Sequence, residues 1–492
     1  MSIKKLTLLH SNDLHGDMEE EKIDDSYVGG LSRLSGYVHK VRREEENVVY
    51  ALAGDMFRGS IIDSEFKGLS TVELMNLVGP DVTCLGNHEV DYGVAHLLFL
   101  EKCATFPIVN ANFYMTSPRR RLFNPEIILN VGGIKILFIG ILTEAALLEV
   151  KKDTLFGTLV NIEEARDEVG RIINSYKTVD IDLTVLLTHI GFEEDKKLAA
   201  MLDPDWGVDI IIGGHTHTYI TEPAVVNDIL VVQAGTGSDQ IGRFDLTIDM
   251  DKNCIKDYTW QCVPINDTTA PKDDVLEEVL SGYKDITDRK YNTILTRFRK
   301  PLTHPDRWAE SEIGNLFADI LWKQLGTDFV LLGSGSIRKE VLGEAVTLQD
   351  LLEIFPFDGK VHAARIPGRV LKNAVAYMCR DELFEKNHTE FYQFSSNLRL
   401  IYDYATKNIV SLALNGGPVD DNRIYTVAMQ DFHYKNITKC LGIDTDSLEN
   451  FERARIISTS DFDIIREYFE THASIDSRVD GRITILNAPK AD

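Results

Sequence analysis

The chain has 492 residues, 44% hydrophobic and 26% charged, with 77 acidic against 52 basic side chains and a formal charge of -25. At roughly 100–200 residues per domain this length suggests several domains with sizeable cores, and the composition excludes disordered, collagen-like and disulfide-stapled chains. So acidic a surface argues against a nucleic acid polymer or an anionic membrane as partner, but not against a small anionic substrate met by local positive charge.

The first 265 residues alternate short apolar runs with helical patterns. Leu6–Leu9, Val48–Leu52, Val82–Leu85, Pro107–Asn110, Ile134–Ile141, Leu183–Leu187 and Ile210–Ile212 read as buried strands. Helical periodicity lies at Leu31–Glu46, Thr71–Val78, Ala95–Lys102 and Ile162–Tyr176. This alternation predicts an α/β domain over 1–265 with strands covered on both faces. The stretch Glu222–Met250 reads as a closing set of antiparallel strands. Residues 266–300, with the breaker Thr268-Thr269-Ala270-Pro271 and the acidic run Asp273–Arg289, predict a linker helix. Residues 301–492 predict a smaller α+β domain, with helices at Glu310–Lys323 and Val370–Met378 and strands at Phe329–Leu332, Leu398–Tyr402, Ile409–Leu414 and Ile424–Ala428.

Six cysteines, at 84, 103, 254, 262, 379 and 440, form no C-x-x-C pair and read as reduced thiols. The best apolar run, Ile136–Leu142, has seven residues, against about 18 for a membrane helix. Leu6–Leu9 is too short for a signal-peptide core. The expectation is a cytoplasmic protein with no membrane partner; the sequence does not specify its oligomeric state.

Five patches place metal-ligand side chains just past apolar strands. They are Asn12-Asp13-Leu14-His15-Gly16, Ala53-Gly54-Asp55, Gly86-Asn87-His88-Glu89-Val90-Asp91, Thr188-His189-Ile190-Gly191 and Gly213-Gly214-His215-Thr216-His217. Any one of them occurs by chance, but five in this order do not. Their oxygen and nitrogen donors suit Mn, Zn, Fe or Co rather than a thiolate-seeking metal. Two dications with Asp13 and Asp55 leave a net positive charge suited to a phosphate. Two metals about 3.5–4 Å apart would clamp an in-line displacement and make hydroxide available near neutral pH. Walker, dinucleotide and serine-hydrolase motifs are absent.

These patches resemble those of calcineurin-like metallophosphoesterases, specifically the 5'-nucleotidase family, which includes UDP-sugar hydrolases and 2',3'-cyclic phosphodiesterases. The resemblance implies a four-layer α-β-β-α domain. It makes Asp13 and His15 ligands of one divalent ion, Asp55 a bridge, and Asn87, His189 and His215 ligands of a second. His217 completes the first site, where many nucleotidases have Gln. His88 is the implied catalytic histidine, oriented by Asp91, and Glu89 is read as structural.

The second half resembles the family's substrate domain. Arg307, ahead of the Gly314-Asn315-Leu316 helix, and Arg338, closing Gly333-Ser334-Gly335-Ser336-Ile337-Arg338, are the implied substrate-binding arginines. Phe357, in Phe355-Pro356-Phe357-Asp358-Gly359, and Phe432 would sandwich a base, a contact of about 1–3 kcal/mol per stacked base. The family's G-G-D-G, whose Asp holds the ribose hydroxyls, is absent; His433–Thr438 contains no acid. The expected reaction is metal-dependent hydrolysis of nucleoside 5'-monophosphates, with a 2',3'-cyclic phosphodiesterase, a nucleotide-sugar pyrophosphohydrolase or a non-enzymatic nucleotide sensor as rivals.

Overall fold

Leu6 and Leu8 belong to one buried cluster and Leu9 to another, so the strand Ile3–Ser11 is covered on both faces. The computed structural model describes residues 2–115, 120–143, 157–158, 161–385, 390–444 and 454–489, and divides into units 1–287 and 288–492. In the first unit that strand lies in a six-stranded sheet ordered Cys254–Pro264, Gln240–Asp249, Ile3–Ser11, Val48–Leu52, Val82–Cys84, Ile108–Val109. A second six-stranded sheet is ordered Ala224–Val226, Ile229–Val232, Ile210–Ile212, Leu183–Thr188, Ile134–Ile141, Glu126–Val131.

Leu6, Leu8, Val49 and Val82 of the first sheet pack with Ile136, Phe138, Val185 and Ile212 of the second. Helices Leu31–Glu44, Leu69–Val78 and Val94–Cys103 cover the far side of the first sheet. Val169 and Leu198, from helices Ile162–Ser175 and Phe192–Met201, pack against Leu137 and Ile139 on the far side of the second. This is the expected four-layer arrangement. Ile3–Ser11, Val48–Leu52 and Val82–Cys84 run parallel, as do Ile134–Ile141, Leu183–Thr188 and Ile210–Ile212. Parallel strands present their carboxyl ends together, the usual place for a site in an α/β sheet. His10 is a core histidine: fully buried, it accepts from Trp260 Nε1 at 3.2 Å, and burial holds its pKa at about 3.

Two segments differ from expectation. The stretch Glu222–Met250 is divided between the sheets, because Ile229–Val232 pairs in parallel with Ile210–Ile212 while Gln240–Asp249 pairs antiparallel with Ile3–Ser11. The helix within 266–300 spans Asp274–Tyr291, and Leu276 and Leu280 are buried in the first unit's core. Ser35 Oγ donates to Asp273 at 2.6 Å just ahead of this helix. Most of the expected linker is thus docked, because its apolar side chains lie on one face.

The second unit contains a five-stranded sheet ordered Tyr392–Phe394, Phe329–Gly333, Ile424–Gln430, Val361–Pro367, Arg455–Ser458. A four-stranded sheet is ordered Gly417–Pro418, Asn408–Leu414, Leu398–Asp403, Ile483–Leu486. Helix Glu312–Leu325, N-capped by Ser311, packs Phe317 and Leu321 with Ile465 and Phe469 of helix Asp461–Thr471.

Candidate metal centre and aromatic pocket

The turns after the parallel strands are strained where they carry ligands. Asp13, His15, Asp55, His215 and His217 have φ of 52°, 50°, 54°, 82° and 52°, in the left-handed region. Each such residue costs on the order of 1–3 kcal/mol, and strain of this kind clusters at functional sites. Glycine permits the close approach: a Cβ at Gly86 would lie 2.2 Å from Asp55 Oδ1, and one at Gly214 would lie 2.6 Å from His189 Nδ1.

The structure brings all seven predicted ligands together. His15 Nε2 and His217 Nε2 face each other at 2.9 Å, and lie 3.8 and 3.4 Å from Asp13 Oδ1. His189 Nε2 lies 3.7 Å from Asp13 Oδ1 and 3.1 Å from Asp55 Oδ2. His215 Nδ1 is 2.8 Å from Asn87 Oδ1, and Asp55 Oδ2 reaches toward His15 Nε2 at 4.0 Å. Asp13 and Asp55 therefore lie among both sets of donors.

These residues fit a divalent cation. His189 is fully buried and donates Nδ1–H to the Ala53 carbonyl at 2.8 Å, while Nε2 makes no hydrogen bond of good geometry. Such a buried nitrogen requires a partner, and a backbone bond on the other ring nitrogen is the usual way a metal-binding histidine is oriented. Burial disfavours charge on His189, yet the Asp55 and Asp13 carboxylates overcome it and push the pKa up to about 10. The cluster thus holds positive charge strongly, and a dication answers that demand.

His88 and Asp91 flank this cluster. His88 Nδ1 donates to Asp91 Oδ2 at 2.7 Å, and this bond, followed by the opposing effect of burial and the nearby Asp55 charge, sets the imidazole pKa above its ordinary value. The His88 backbone N–H donates to Asp55 Oδ1 at 2.8 Å. Glu89 has the structural place expected of it: buried, it accepts from the backbone N–H groups of Asp55, Met56 and Gly86 at 3.0, 2.7 and 2.5 Å.

Two neighbours were not singled out from the sequence. Asn12 Nδ2 donates to Asp13 Oδ2 and to the Gly235 carbonyl, each at 2.7 Å. Its position beside Asp13 was the available signal. Arg58 Nη1 donates to Asp91 Oδ2 at 2.6 Å, and no spacing rule marks it.

In the second unit, Arg307, Arg338, Phe357 and Phe432 line one cavity of about 290 Å³. Phe357 and Phe432 are 48% and 62% exposed, unlike core aromatics, and both border this cavity. The Arg338 guanidinium carbon lies 5.3 Å from the Phe357 ring centre. Arg307 Nη2 donates to Glu390 Oε2 at 2.9 Å, while its buried Nε has no partner. Where His433–Thr438 lacks an acid, Glu390, Asp431 and Asp461 border the same cavity. Asp431 accepts from His362 Nε2 at 2.7 Å, and Lys435 Nζ lies 2.8 Å from its other oxygen.

Residues 6–219 match the calcineurin-like phosphoesterase family, and residues 291–439 match the 5'-nucleotidase C-terminal domain. A mouse 5'-nucleotidase is 27% identical over 82% of this chain and 76% of the mouse protein. A snake venom 5'-nucleotidase from Gloydius brevicauda is 29% identical over 83% of this chain and 76% of its own length. The crystal structure of a 5'-nucleotidase precursor from Thermus thermophilus is 26% identical and covers 99% of this chain and all of its own, with a TM-score of 0.59. With both domains matched in order and these relatives aligned along most of its length, the chain belongs to the 5'-nucleotidase family, a family of metal-dependent phosphoric ester hydrolases.

Proposed function

We propose that the protein hydrolyses nucleoside 5'-monophosphates to nucleoside and phosphate, using two divalent ions held by Asp13, His15, Asp55, Asn87, His189, His215 and His217. The observation that carries this reading is the convergence of donor groups on Asp13 and Asp55, with His189 Nε2 buried 3.1 Å from Asp55 Oδ2, His15 and His217 against Asp13, and Asn87 against His215, beside the His88–Asp91 pair. Two bound divalent ions supply Lewis acidity and make hydroxide available near neutral pH. His88 gives Nδ1–H to Asp91, which leaves Nε2 to hold a proton toward a phosphoryl or leaving oxygen. The Asn12 and Glu89 hydrogen bonds keep the Asp13 and Asp55 turns from relaxing.

Phe357 and Phe432 stack the base, and Arg307 and Arg338 bind oxygen atoms of the nucleotide through planar guanidinium forks. Asp431 is the carboxylate we assign to the ribose hydroxyls, since it borders the cavity directly before Phe432. Cytoplasmic residence is part of this proposal and rests on six cysteines that form no disulfide.

Comparing AMP with ribose 5-phosphate, which carries the same phosphoester without a base, tests the pocket. The proposal expects kcat/KM for AMP to be about 10–100-fold higher, from stacking alone. Equal values would remove the pocket from substrate recognition.

A further inference from the structure

Arg58 stands on a loop far more tightly built than an exposed arginine needs. Its φ is 68°, and its backbone N–H donates to Asp63 Oδ2 at 2.8 Å. Asp63 is fully buried and also accepts from Thr71 Oγ1 and, at 2.8 Å, from Tyr92 OH. Ser60 accepts from the Asp63 N–H at 3.1 Å and caps the helix Ile61–Phe66 that follows. The next residue, Gly59, lies against the His15 carbonyl so closely that a Cβ would sit 2.1 Å from the oxygen. The loop is therefore held to the buried Asp63 on one side and to the His15 turn on the other.

The Arg58 side chain is 59% exposed, yet Nη1 lies 2.6 Å from Asp91 Oδ2, the oxygen that also accepts from His88 Nδ1 at 2.7 Å. With one donor on that oxygen, the carboxylate can rotate and carry the imidazole with it. A second, charge-assisted bond to the same atom removes that freedom. Asp91 is 9% exposed, so water competes weakly for this oxygen.

We propose that Arg58 is a positioning residue: through Asp91 it fixes the plane of the His88 imidazole. The inference rests on the role proposed for the His88–Asp91 pair. Arg58 acts through a carboxylate and does not touch the reacting phosphate.

The test compares Arg58→Ala, Arg58→Lys, Asp91→Asn and the Arg58→Ala/Asp91→Asn double variant, all loaded with Mn and assayed with AMP. Arg58→Ala should lower kcat by about 10–100-fold, the usual effect of an outer-shell partner, with KM and metal content unchanged. Arg58→Lys should recover a large part of the loss. In the Asp91→Asn background, Arg58→Ala should change kcat by less than about twofold, because residues in one hydrogen-bonded chain are not additive. In Zn-loaded, ¹⁵N-histidine-labelled protein, the His88 Nδ1–H resonance should broaden or vanish in Arg58→Ala and persist in Arg58→Lys.

A full additional loss in the Asp91→Asn background would mean that Arg58 contacts substrate directly, and would overturn the proposal. So would an unchanged kcat, or a loss of metal from Arg58→Ala. If His88→Asn turns over AMP as fast as the wild type, the role of His88 itself fails, a result separate from any outcome at Arg58.

Discussion

His88→Asn tests whether chemistry and metal binding are carried by different residues of the first unit. The change removes the ring that bonds Asp91 at 2.7 Å. It spares the backbone N–H that holds Asp55 Oδ1 at 2.8 Å, and it leaves Asn87 with His215 Nδ1 at 2.8 Å. The seven ligands thus keep their scaffold, and metal content should match the wild type. One acid–base group contributes about 10²–10⁴ to a rate, which at 1.4 kcal/mol per decade is about 3–5 kcal/mol of barrier. Asn has a donor but no proton to give, so the loss should fall on kcat and leave KM within a few-fold. The assay is phosphate release from AMP by Mn-loaded protein, with metal measured by elemental analysis on the same sample. A kcat within threefold of wild type, at equal metal content, would refute the assignment of His88. Loss of metal would refute the argument that the backbone N–H suffices to hold Asp55.

Three further outcomes are expected. Asp55→Asn removes the carboxylate lying among both sets of donors and should abolish binding of both ions, so two retained equivalents by elemental analysis would contradict its bridging role. Phe357→Ala should raise KM for AMP about 5–150-fold, from about 1–3 kcal/mol of stacking, and leave KM for a small aryl phosphate unchanged; equal effects on both would mean that no base is stacked. Burial pushes the Asp209 carboxyl up to about 7 against the pull of the Thr184 N–H. Between about pH 4 and 7 the unfolded chain then releases a proton that the folded one keeps, so this group lowers stability as pH rises through that window and adds no slope above it. Asp209→Asn keeps an acceptor for Thr184 and removes that slope. Its Tm relative to wild type should be higher at pH 8 than at pH 5, and a constant difference would contradict the shift.

The metal centre was legible because its residues sit where local signals are strongest. Asp13, Asp55, Asn87, His189 and His215 follow apolar strands by one to three residues and have glycine or asparagine within two residues, so they could be picked out without knowing the pairing of strands. The aromatic pocket was legible through the resemblance, and the cavity gathers all four residues named for it. What escaped depends on contacts between residues distant in sequence. Nothing around Arg58 announces Asp91, and nothing in Asp431 or Asp461 says that they border the cavity of Phe357. The division of Glu222–Met250 between two sheets follows from pairing with Ile3–Ser11, at the other end of the unit. The helix Asp461–Thr471 and strand Ile483–Leu486 lie outside the elements expected from the sequence, although Ser460 N-caps the helix by accepting from Asp463 N–H. The apolar face of helix Asp274–Tyr291 says that it is covered without saying by what, so the sequence alone reads it as a connector.

Phosphate and nucleoside release by Mn-loaded protein from AMP, beside 2',3'-cyclic AMP and UDP-glucose and with EDTA as control, tests the central claim most directly. Turnover of AMP that EDTA abolishes, exceeding that of the other two substrates, is the predicted result. Turnover of only the cyclic or the sugar substrate would keep the metal chemistry and contradict the substrate assignment. No EDTA-sensitive turnover of any of the three, together with tight AMP binding, would contradict the enzymatic reading and leave a nucleotide sensor in its place.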